Sequence, residues 1–70
     1  MVVNYDSKTD LLYLRLDQGP HQVINKKITD DIVLDIDEDG KIIGIEIMYA
    51  SKNVQLKTLL PVTFDFKKAG

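Results

Sequence analysis

Apolar and polar residues alternate through the first two thirds of the chain. Leu12, Leu14 and Leu16 fall on one parity, with Tyr13, Arg15 and Asp17 on the other. Alternation of period two marks a half-buried β-strand. The same rhythm runs through Ile32-Val33-Leu34-Asp35-Ile36, and again through 41–48, where Ile43, Ile45 and Ile47 share one parity. Isoleucine is stiff at χ1 and suits a pleated surface better than a helix. With the shorter apolar stretches, five strands are predicted at 2–6, 11–17, 22–29, 32–38 and 41–48. Turn residues separate them: Asp6–Asp10, Gln18–His21, Asp30-Asp31 and Asp39-Gly40. No connection is long enough for a crossover helix, so the strands are expected to form an antiparallel meander. After Met48 the rhythm changes. Leu56, Leu59 and Leu60 suit a helix face that Pro61 would end, although Val54, Leu56, Thr58 and Leu60 also alternate. A short helix near 49–60 is predicted. Val62, Phe64 and Phe66 then predict a terminal strand at 62–67. The expected fold is one α+β domain over residues 1–70, mainly β.

Within this pattern lies Asp35-Ile36-Asp37-Glu38-Asp39-Gly40-Lys41-Ile42-Ile43-Gly44-Ile45-Glu46. It fits the calcium-loop spacing D-x-D-x-D-G-x5-E. Such a loop needs a helix on each side, and both flanks here read as strands. Asp39-Gly40 between two apolar runs is instead a hairpin signal, because a type I′ turn needs φ > 0 at both central residues. Parity supports this reading. With Asp39 and Gly40 at the turn, Ile36 faces Ile43, Leu34 faces Ile45 and Ile32 faces Ile47. A slip of one residue would set Leu34 against Gly44 and Ile32 against Glu46. Asp35, Asp37 and Glu46 then share the opposite face, with Gly44 leaving space beside Asp35. No metal site is expected; these three acids are the candidates for weak divalent-cation binding, and a solvated strand face is the simpler reading.

Composition narrows the function classes. The chain has 70 residues, nine Lys and Arg against eleven Asp and Glu, a net charge of −2, and no cysteine. That balance does not suggest nucleic-acid binding, which calls for a basic domain with a clustered patch. Without cysteine there is neither a disulfide staple nor a thiolate metal site. No apolar run approaches the ~20 residues of a membrane-spanning helix. Met1-Val2-Val3-Asn4-Tyr5-Asp6 shows neither the basic region nor the apolar core of a signal segment. A cytoplasmic location is expected.

Three groups of residues also resemble a small prokaryotic family of unknown function. They are Tyr5, Asp6, Asp10, Leu12, Tyr13, Leu14 and Leu16; then Asp35, Asp37, Asp39 and Gly40 through Ile47; then Ala50-Ser51. Together they match the pattern Y-D-x3-D-x-L-Y-[IL]-x-[LF], D-x-D-x-D-G-[KR]-[IV]-[IV]-G-[IL]-E-[IL] and A-S over residues 5 to 52. The resemblance implies no assigned activity and no catalytic residues. It implies a place beside small toxin-like proteins, and so an antitoxin-like role as an alternative.

Candidate chemistry is sparse. His21 is the only histidine, so a zinc site would depend on carboxylates for its other ligands. Neither Ser7 nor Ser51 stands in a nucleophile motif, and phosphate and dinucleotide loops are absent. Asp35 and Glu46 are a carboxylate pair of the type that hydrolyses glycosides, but a small meander offers little concavity for a sugar. No enzyme activity and no cofactor are expected. Residues 30–46 hold seven acids and one base. Asp30, Asp31, Asp35, Asp37 and Glu46 therefore form a candidate interaction face for a basic protein partner. The face bearing Tyr13, Val33, Ile42 and Met48 is too apolar to be fully wet, which predicts a homo-oligomer, a twofold dimer first. The expected function is a non-enzymatic binding or assembly module.

Overall fold

The structure is a computed structural model and describes residues 1–59. The terminal strand predicted at 62–67 lies outside the described residues. Five strands form: β1 (Val2–Asp6), β2 (Leu11–Arg15), β3 (Ile24–Lys27), β4 (Ile32–Ile36) and β5 (Ile42–Ile47). Two short helices follow, α1 (Ala50–Asn53) and α2 (Leu56–Leu59). All strand pairs are antiparallel, in one open sheet of order β1-β2-β5-β4-β3. The fold is therefore the predicted α+β, mainly-β class. One connection departs from a simple meander. β2 pairs with β5, and the chain from Asp17 to Val23 carries β3 to the far edge. Each strand of β2–β5 is also trimmed at one or both ends, where loop residues such as Asp17 and Lys41 bond locally.

Register sorts the side chains. Leu12 faces Ile47, Leu14 faces Ile45, and Val3 and Tyr5 face Leu14 and Leu12. Ile32 and Leu34 face Ile47 and Ile45. These residues form the apolar face. Asn4, Tyr13, Glu46 and Val33 lie in one row of the other face, and Val2, Arg15, Gly44, Asp35 and Asn25 in the next. The core is Leu12, Ile47 and Ala50, with Val3, Ile32, Ile45, Val54 and Leu56 packed on it. α1 and α2 thus cover the end of the apolar face nearest their own chain. Burying a side chain such as Leu12 or Ile43 contributes roughly 1.5–3 kcal/mol.

α1 is too short to stand alone. Its docking depends on Asp10, which adopts φ 56° at the β1–β2 turn. The Asp10 carboxylate accepts bonds from the Ser51 N–H (3.0 Å), the Ser51 hydroxyl (2.7 Å) and the Tyr5 hydroxyl (2.7 Å). Its carbonyl accepts the Ala50 N–H at 2.8 Å. Asp10 therefore satisfies orphan donors of the helix from 41 residues away. The hydrogen bonds from Ser51 and Tyr5 lower its pKa, so their stabilisation is present above the usual aspartate range and is lost as pH falls through the lowered value.

The 32–47 hairpin holds the predicted register at Ile32–Ile47 and Leu34–Ile45 and then departs from it. The ladder shifts between Asp35 and Ile36, so Ile36 faces Ile42, and not Ile43. The turn differs as well. Gly40 has φ 83°, whereas Asp39 is not among the residues with positive φ, which excludes type I′. The Gly40 N–H bonds the Asp37 carbonyl (3.1 Å) and the Asp37 N–H bonds the Lys41 carbonyl (2.9 Å). This is a three-residue loop, Glu38-Asp39-Gly40, with glycine at the left-handed position. Asp37 explains the choice: its Oδ1 accepts the N–H groups of Asp39 (2.9 Å) and Lys41 (2.8 Å). Gly40→Val is expected to destabilise by more than ~1 kcal/mol, because a β-branched residue is strained at that φ. Equal urea midpoints for variant and parent would contradict the assignment.

Candidate functional site

The polar face gathers four polar side chains around Gly44. β2 supplies Tyr13 and Arg15, β4 supplies Asp35, and β5 supplies Gly44 and Glu46. Tyr13 stands directly opposite Glu46, and Asp35 directly opposite Gly44. The Tyr13 hydroxyl donates to Asp35 Oδ2 at 3.0 Å and accepts from Arg15 Nη1 at 3.2 Å. Arg15 Nη2 reaches the Gly19 carbonyl at 3.4 Å, tying the cluster to the β2–β3 connection. Glycine at position 44 makes this possible. A Cβ there would stand 2.9 Å from the Tyr13 hydroxyl and 3.1 Å from Asp35 Oδ2.

Asp35 is only 5% exposed, and its Oδ1 is buried without a hydrogen-bond partner. Burial of a carboxylate oxygen without a donor is costly. Its acidic neighbour Glu46 has a raised pKa, first through burial and then through the nearby Asp35 carboxylate. Arg15 is held more firmly protonated by its bond to Tyr13.

A second cluster lies at the hairpin tip. His21 Nε2 lies 3.0 Å from Asp17 Oδ2, and its Nδ1 lies 3.5 Å from Glu38 and 4.0 Å from Asp37. Asp17 Oδ1 accepts the Gly19 N–H at 2.8 Å. Burial pulls the His21 pKa down, but Asp17 and Glu38 together outweigh it and leave it raised. The ion pairs therefore hold the connection across the tip below the usual histidine range, and that contribution is lost as pH rises through the raised value.

Of the predicted metal candidates, Asp35 and Glu46 lie on one face as diagonal neighbours across β4 and β5, whereas Asp37 is committed to its own turn. Among the described residues, no group of three His, Asp or Glu has the geometry to hold a metal ion. The predicted acidic interaction face is likewise divided. Asp35 and Asp37 are buried, Asp30 pairs with Lys27 at 3.3 Å, and Asp31 accepts the Asn53 side-chain amide at 3.0 Å. Arg15 was not singled out by its sequence position. Parity places it beside Tyr13, but its role depends on the β2–β5 pairing. Among the described residues no helix is long and apolar enough to cross a membrane.

Neither a curated protein nor a solved structure matches the chain. A family model described as a protein of unknown function, DUF2283, matches residues 3–51. That span runs from β1 to the start of α1 and contains both side-chain clusters, so the chain belongs to the DUF2283 family of proteins of unknown function.

Proposed function

We propose that the protein is a non-enzymatic binding and assembly module that works as a homodimer. The observation that supports this is the end of the apolar face beyond α1 and α2. There Leu16 is 43%, Ile24 63% and Ile42 46% exposed, with half-buried Leu14, Leu34 and Ile36 between them. A second copy is the occupant that fits. A twofold interface sets the same patch against itself, and these six side chains bring no charge that would have to be desolvated. Nothing in the polar cluster demands a substrate: its tyrosine and arginine bond within the sheet. The antitoxin-like reading gains no support from the arrangement of the acids, which are largely consumed by internal contacts. A cytoplasmic setting goes with this reading, supported by the absence of cysteine from a scaffold of a size that secreted proteins staple with disulfides. We also read Tyr5, Asp10, Gly40, Gly44, Ala50 and Ser51 as the structural part of the family pattern, supported by the specific contact or turn each one makes.

Ile24→Lys tests the interface. Ile24 lies on exposed β3, so a charge there should leave the protomer folded and split the dimer. The expected result is an unchanged circular-dichroism spectrum with half the parent's solution mass. A variant as dimeric as the parent would remove this face from the interface.

A further inference from the structure

We infer that Asp35 and Glu46 work as one acid group that holds a single proton between them, so that the polar face of the sheet carries a proton-binding site. This goes beyond self-assembly and does not rest on it.

The geometry leaves few alternatives. Asp35 Oδ2 is already engaged by the Tyr13 hydroxyl at 3.0 Å, while Oδ1 is buried and lacks a donor. The groups facing the pair can be named strand by strand. On β2, Tyr13 has given its only proton to Oδ2, and Arg15 is turned to Tyr13 and Gly19. On β3, Asn25 stands opposite Asp35 without a hydrogen bond to it, and Lys27 stands opposite Val33 with its ammonium on Asp30 at 3.3 Å. On β1, Asn4 lies beyond Tyr13. On β4, the neighbour across from Glu46 is apolar Val33. Glu46 is the remaining acid on this face, diagonal to Asp35 through the Asp35–Gly44 and Val33–Glu46 pairs.

Two neighbouring carboxylates repel each other. One proton turns that repulsion into a charge-assisted hydrogen bond, with Glu46 O–H donating to the orphaned Asp35 Oδ1. When the proton leaves, it passes to solvent, since Glu46 is the more exposed partner, and the face gains one negative charge beside Arg15. Burial and the Asp35 charge act on Glu46 in the direction that holds the proton.

The sign of the stability effect follows. A carboxyl whose folded pKa is raised contributes stability that is complete below the unfolded value and is lost as pH rises through the folded one. In the full chain at fixed concentration, the Glu46 carboxyl carbon is followed by NMR against pH, and melting is followed over the same range. The expected midpoint lies above the ordinary glutamate value and moves down in Asp35→Asn, which removes the neighbouring charge. Glu46→Gln places a permanent N–H donor against Asp35. It is expected to abolish the fall in melting temperature across the Glu46 midpoint, even if Asp35→Asn fails to fold. An ordinary midpoint in the parent, or a Glu46→Gln variant that keeps the fall, would overturn the inference. So would millimolar calcium or magnesium that drives the midpoint down, because the pair would then be a cation site.

Discussion

Leu12→Ala is expected to leave the domain largely unfolded. Leu12 is 1% exposed and packs with Ile47 and Ala50 at the one place where both helices meet the sheet. Removing a buried leucine side chain costs about 2–5 kcal/mol, the upper end where the cavity cannot collapse. A domain of this length has roughly 4–10 kcal/mol of total stability, and unstapled scaffolds of this size sit near the lower end. The loss is thus comparable to the whole. Val23→Ala is the internal control: at 45% exposure and outside the proposed interface, it should cost well under ~1 kcal/mol. Urea unfolding with both variants at one protein concentration checks the pair. Equal midpoints would mean that the core lies elsewhere.

Gly44→Ala should have the second largest effect, about 2–4 kcal/mol, even though alanine adds one carbon. The new Cβ would lie 2.9 Å from the Tyr13 hydroxyl, which can move only by giving up its bonds to Asp35 and Arg15. Asp35 would then be buried with neither oxygen bonded to Tyr13. The loss of that bond carries most of the cost. A double-mutant cycle with Tyr13→Phe separates this from a general intolerance of β5 to alanine. In the phenylalanine background the cost of Gly44→Ala should shrink, since the hydroxyl is already gone. Strictly additive costs would contradict the coupling.

Much of the fold was legible from alternation because the sheet buries one face and wets the other. Leu12–Leu16 and Ile32–Ile47 could not be set as strands in another register without turning leucine and isoleucine outward. Two features were less legible. The β2–β5 pairing is a long-range choice, and nothing local in Gln18–Gln22 says which strand β2 will join. At the hairpin turn Asp39-Gly40 carries a type I′ signal, but Asp37 two residues earlier bonds the loop and selects a longer one. The shift at Asp35/Ile36 follows, and it leaves Ile42 at 46% exposure and Ile43 at 1%.

The candidate site was half visible. Asp35, Gly44 and Glu46 share a face in the register that pairs Leu34 with Ile45, and that register also leaves space beside Gly44. Tyr13 and Arg15 complete the cluster only once β2 lies beside β5. Asp37 was grouped with Asp35 by the same parity, yet the backbone N–H groups of its own turn claim its carboxylate. The calcium-like spacing therefore has separate causes: Asp37 and Gly40 shape a loop, whereas Asp35, Gly44 and Glu46 build the polar cluster.

We propose that a second copy covers the exposed end of the apolar face. Light scattering on the purified full chain at micromolar concentration tests it most directly. The expected result is twice the 8.0 kDa chain mass, falling to the single mass on strong dilution or in Ile24→Lys. A mass of 8.0 kDa that does not change over a tenfold rise in concentration would contradict it.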